Sequence, residues 1–128
     1  MPRVIHFEIP AKDTAKITAF YKEVFGWEFM KWEGPQEEYW LVQTGEQGTP
    51  GIDGGLYSPQ TGFSGTVNTI DVPDLDAYLS KVTANGGAVV VEKMPVPGVG
   101  WLAYCKDVEG TTFGLMQSDT SAGNGGQS

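Results

Sequence analysis

His6 and Glu8 are the pair in this sequence best equipped for chemistry. They stand two residues apart in the run Val4–Ile9, where Ile5, Phe7 and Ile9 alternate with them. In a β-strand that spacing puts both on one face, about 6.6 Å apart along the chain. An imidazole beside a carboxylate can act as an acid/base pair, and proton transfer α to a carbonyl would suit it. No nucleophile or oxyanion device accompanies the pair. The plainer reading of His6 is a hydrogen-bonded histidine in a polar cleft.

The second resource is aromatic: Trp32, Tyr39, Trp40, Phe63, Trp101 and Tyr104. Flat rings with polar tips suit a planar or apolar small molecule. Trp40, Trp101 and Tyr104 are assigned to ligand contact on this ground. Gly114 joins them because a glycine inside a strand marks close approach by a ligand or another backbone. A tight sheet contact explains it equally well. The segment Pro95–Gly100, PVPGVG, reads as a rim or lid, or as a tight connection. It lacks the lysine and helix of a phosphate-binding loop.

Ten elements must position these residues. Asp13 caps a helix to about Phe25, with Ile17, Phe20, Tyr21, Val24 and Phe25 at helical spacing and Gly26 as its stop. Strands follow at Trp27–Trp32, Tyr39–Gln43 and Ile52–Tyr57, with loops at Glu33–Glu38 and Thr44–Gly51. Ser58–Gly65 is a linker. The order then repeats: a strand at Thr66–Val72, a helix capped by Asp74 with Leu75, Tyr78, Leu79 and Val82 as its stripe, and a strand at Ala88–Glu92. A hairpin closes the pattern, with strands Trp101–Cys105 and Thr111–Gln117 around a turn at Lys106–Gly110. Short pieces match between the halves: EIP at Glu8–Pro10 with DVP at Asp71–Pro73, and Gly55-Leu56 with Gly114-Leu115. This self-similarity predicts two βαβββ modules, about 3–57 and 66–117, in one domain spanning 1–117. Residues 118–128 read as a disordered tail.

Composition sets outer bounds. The 128 residues are 40% hydrophobic and 19% charged, enough for one packed domain. A net charge of −8 with no Lys/Arg cluster argues against nucleic acid and anionic membranes as partners. The single cysteine, Cys105, falls in a strand and reads as a buried inert thiol, and one cysteine suits the cytosol. MPRVIHFEIP has no apolar signal core, so a cytoplasmic protein is expected.

Taken in order, HFEIPAKD, FYKEVFGWEF, VNTIDVPDLDAYLSKVTANGGAVV and KDVEGTTFGLMQ resemble the vicinal-oxygen-chelate superfamily of glyoxalases, bleomycin-resistance proteins and extradiol dioxygenases, and its uncharacterised glyoxalase-like bacterial members most. The resemblance implies an α+β fold: an eight-stranded curled mixed sheet with helices on its outer face, a cleft, and a homodimer. It also implies a divalent metal held by four ligands, one from the first and one from the last strand of each module. His6 matches the first position. The second falls on Gly54 or Gly55, the third on Val67 or Thr69, the fourth on Gly114. Glycine and valine offer no donor side chain, and threonine is a poor one. A non-standard set of His6, Glu8 and Asp71 would offer one imidazole and two carboxylates to Zn, Ni, Mn or Fe. Otherwise Glu8 and Asp71 are hydrogen-bonded groups lining the cleft.

The expectation is therefore a protein that binds a small apolar or aromatic molecule without the usual metal. Its ligand contacts are Trp40, Thr69, Trp101, Tyr104 and Gly114. The alternative is a metal-dependent lyase, isomerase or dioxygenase using His6, Glu8 and Asp71.

Overall fold

The computed structural model describes residues 1–32, 39–58 and 65–123. The fold is α+β, with eight strands and two helices among the described residues. The chain divides into two compact units, Ile5–Val67 and a second formed by Met1–Val4 with Asn68–Ser128.

The first unit carries β1 (Arg3–Pro10), α1 (Thr14–Phe25), β2 (Glu28–Lys31), β3 (Tyr39–Gln43) and β4 (Asp53–Tyr57). Its strands lie in the order β2-β3-β4-β1, antiparallel except for the parallel β1–β4 pair. Asp13 caps α1 by accepting a hydrogen bond from the Lys16 amide, and Gly26 ends it in a left-handed conformation. One face of the strands is covered by α1. Phe7, Ile9, Ile17, Trp27, Phe29 and Trp40 pack there around the buried Ala11, Val42 and Leu56. Tyr21 of α1 stacks on Trp27 with centroids 5.0 Å apart, fixing the helix against the start of β2.

The second unit carries β5 (Val67–Asp71), α2 (Leu75–Ala84), β6 (Ala88–Val96), β7 (Gly100–Lys106) and β8 (Thr112–Ser118). Its strands lie in the order β5-β8-β7-β6, with β5 and β8 parallel. Asp74 caps α2 through the Ala77 amide. The stripe Leu75, Tyr78, Leu79 and Val82 packs on Val72, Ala103, Cys105 and Leu115. Cys105 is fully buried in that layer, and burial together with Glu92 pushes its thiol above the ordinary range, as an inert core thiol requires. Gln117 reaches from β8 to accept a hydrogen bond from the Leu75 amide, satisfying a donor of the helix start.

Two expectations shift. Strand β6 runs to Val96, not Glu92, so Pro95 and Val96 pair with Trp101 and Gly100. PVPGVG is thus a tight connection, pinned where Val99 donates to Val96, Gly98 to Ala122 and Asp119 to Val99. Residues 118–123 also make long-range contacts. Ser118 belongs to β8, Ala122 is fully buried, and Asp119 accepts from the Trp101 indole at 3.1 Å. Hydrogen bonds from the Ser121 hydroxyl and amide, and then from the Trp101 indole, hold the Asp119 carboxyl below its ordinary value. A polar, aperiodic stretch gave no sign of these long-range anchors. The loop expected at Glu33–Glu38, most of the linker Ser58–Gly65 including Phe63, and residues 124–128 lie outside the described residues.

Candidate functional site

Strand alternation sorts the first unit's side chains onto two faces. Phe7, Trp40, Val42 and Leu56 point toward α1. His6 and Glu8 on β1, Tyr39 and Leu41 on β3, and Asp53, Gly55 and Tyr57 on β4 belong to the other face. In the register Glu8 sits opposite Gly55, and Gly55 opposite Leu41. Neighbouring strands are about 4.8 Å apart, so β3 and β1 are separated by nearly 10 Å with β4 between them. A tyrosine on β3 can reach β1 only by lying flat across β4. Gly55 makes that possible. A Cβ there would fall on the Tyr39 hydroxyl and 2.8 Å from its ring Cε2.

Tyr39 uses the opening to join the two residues singled out on β1. Its hydroxyl donates to Glu8 Oε2 at 2.7 Å and lies 2.9 Å from His6 Nε2. Glu8 is buried, at 7% exposure, which a carboxylate tolerates only with strong hydrogen bonds. Tyr57 is buried on the same face and donates to the Gly65 carbonyl at 2.7 Å. Burial and the Glu8 charge both push its phenol above the ordinary value. Asp53, opposite His6, accepts from the Thr44 amide and hydroxyl at 2.9 and 3.2 Å.

Burial drives the His6 imidazole below its usual 6.5, against the pull of Glu8 and Asp53. The neutral ring is therefore favoured by folding. The stability this provides is complete above pH ~6.5 and is lost as pH falls through the lower folded value. The melting temperature should drop more steeply below about pH 6.5 in the wild type than in His6→Asn. Equal slopes in the two proteins would show that His6 is not held neutral by the fold.

The second unit repeats the motif with different chemistry. Gly114 on β8 lies opposite both Thr69 on β5 and Tyr104 on β7. A Cβ on Gly114 would stand 3.0 Å from Thr69 Oγ1 and 3.3 Å from the Tyr104 ring. Thr69, Tyr104 and Gly114 are thus brought together on the face away from α2. Asp71 lies opposite Met116 in the same strand pair. Trp40 and Trp101 are not on these faces. Trp40 packs under α1, and Trp101 packs under α2 with Lys93 over its ring, 5.0 Å from the centroid. Their alternation with Tyr39 and Tyr104 placed them there, and aromatic character alone had assigned them to the ligand. Tyr39 was missed as a partner of His6 and Glu8. The available signal was Gly55, a gap that some neighbouring side chain had to fill.

Residues 3–45, from β1 through β3, match the family model described as Bleomycin resistance protein-like N-terminal. A solved glyoxalase/bleomycin resistance protein/dioxygenase superfamily member from Vibrio splendidus 12B01 matches at TM-score 0.63 and 20% identity, over 93% of this chain and 100% of that one. The two proteins share a fold. A hypothetical protein from Bacillus halodurans C-125 shares it at TM-score 0.68 and 15% identity, over 92% of this chain and 95% of that one. So does the methylmalonyl-CoA epimerase of Streptomyces coelicolor, solved with 2-nitronate-propionyl-CoA, at TM-score 0.67 and 16% identity, over 91% and 94%. No curated protein matches the chain by sequence.

The four-donor metal set implied by the resemblance does not fit the residues present. Gly54 faces the Phe7 ring under α1, so the second position on the site face is Gly55, and the Tyr39 hydroxyl lies over it. Glu8 pairs with Gly55 as Thr69 pairs with Gly114, so the counterpart of His6 is Val67, which has no donor side chain. Gly114 is the fourth. Among the described residues no three His, Cys, Asp or Glu are grouped to hold a metal ion; His6 and Glu8 lie in the first unit and Asp71 in the second. No helix among the described residues is long and apolar enough to cross a membrane.

Proposed function

We propose that the protein binds a small apolar or aromatic molecule on the α1-free face of its first unit, anchored by His6, Glu8 and Tyr39 and without a divalent metal. One observation carries this reading. The Tyr39 hydroxyl engages both His6 Nε2 and Glu8 Oε2, the two groups that could otherwise begin a metal site. A metal bound by one or two protein donors is held weakly, whereas a catalytic zinc needs about three. What remains is a polar cluster beside the rings of Tyr39 and Tyr57, the composition of an organic-ligand site. The epimerase solved with a CoA ligand supports small-molecule binding by this fold, and at 16% identity its ligand does not transfer.

The test is thermal denaturation against a panel of small aromatics. A ligand at a hundredfold excess over Kd stabilises by about 2.7 kcal/mol, which shifts melting by several degrees. A shift in the wild type that disappears in Tyr39→Ala is the expected result. A panel that leaves the melting temperature unmoved would overturn the reading.

A further inference from the structure

Hydrogen counting at Tyr39 fixes which kind of molecule the anchor can take. A tyrosine hydroxyl has one hydrogen. Here it goes to Glu8 Oε2 at 2.7 Å, the stronger, charged acceptor. Toward His6 the oxygen can then only accept, so the 2.9 Å contact requires a hydrogen on Nε2. A neutral imidazole carries one N–H. Nδ1 is therefore a bare lone pair. Among the described residues it has no hydrogen-bond partner, and His6 is only partly buried.

The charge around this lone pair points the same way. Glu8 and Asp53 both act on the His6 ring, and Asp53 is its cross-strand neighbour. A carboxylate or phosphate ligand would bring a third negative charge beside a lone pair. A hydroxyl or N–H donor would satisfy it.

We propose that the site selects uncharged hydrogen-bond donors such as phenols, enols and heteroaromatic N–H compounds, with His6 Nδ1 accepting the ligand's hydrogen. This rests on the small-molecule reading above and narrows it. Tyr39 acts as a positioning residue, because its single hydrogen sets the His6 tautomer through Glu8.

His6 is the only histidine, so one imidazole spectrum reports the tautomer. In 15N-labelled protein near neutral pH, the proton should reside on Nε2 and Nδ1 should be bare. In Tyr39→Phe this preference should weaken. Binding is read with matched probes: phenol against anisole and benzoate, indole against 1-methylindole. Loss of one hydrogen bond corresponds to about tenfold, so the methylated probes should bind at least about tenfold more weakly, and benzoate more weakly still. His6→Leu should abolish the difference between phenol and anisole. Equal binding of phenol and anisole, tighter binding of benzoate, or a proton on Nδ1 overturns donor selection. The first two of these results leave small-molecule binding standing, and failure of every probe overturns both.

Discussion

Gly54→Ala should cost about 3 kcal/mol or more, at or above the top of the usual range for overpacking a core. The added methyl would run into the Phe7 backbone carbonyl and lie 2.6 Å from two carbons of the Phe7 ring. A side chain could turn away from such a clash. The carbonyl belongs to β1, paired residue for residue with β4, so it moves only if the strands separate. Those strands also carry Glu8 and the face on which Tyr39 lies. Total stability for a domain is about 5–15 kcal/mol, so the variant should melt far lower or fail to accumulate. Gly45→Ala is the control. It meets only Thr49 Oγ1 at 3.3 Å in an exposed loop and should change stability by less than about 0.5 kcal/mol. Similar melting temperatures for the two variants would mean that β1 and β4 are not packed as described.

The next largest effect belongs to Gly55→Ala, and it is functional as well as structural. The methyl would take the position of the Tyr39 hydroxyl, and the ring would have to swing off β4. The contacts to Glu8 and His6 would go with it. Hydrogen bonds to charged groups are worth about 1.5–3 kcal/mol, so a loss of about 2–3 kcal/mol is expected. Ligand-induced stabilisation should vanish in the same variant. The clash is with one side chain, so a double-mutant cycle isolates it. On a Tyr39→Ala background, Gly55→Ala should cost much less than in the wild type, a coupling of about 1 kcal/mol or more. Additive losses would place Tyr39 elsewhere than over Gly55.

Much of the fold could be read from the sequence because the signals were local. Asp13 and Asp74 before apolar helical stripes located both helices, and two-residue alternation located the strands. His6 and Glu8 shared a face for the same reason. What escaped were relations between strands. EIP with DVP and Gly55-Leu56 with Gly114-Leu115 gave conflicting alignments of the halves. Only the observed pairing shows that Glu8 corresponds to Thr69. Tyr39 reaches Glu8 across an intervening strand, a contact that no spacing along the chain encodes. Trp40 and Trp101 pack on the core faces by strand parity, opposite to Tyr39 and Tyr104, a relation that residue type alone does not encode. The extension of β6 to Val96 and the anchoring of Asp119 and Ala122 likewise depend on distant partners.

Metal content is the most direct measure of whether Tyr39, rather than a cation, joins His6 to Glu8. The protein, purified without chelator and analysed for Zn, Ni, Mn and Fe, should carry far less than one equivalent. It should gain no thermal stability when these ions are supplied. One divalent ion per chain, present in the wild type and absent from His6→Ala, would contradict the account and give His6 to a metal centre.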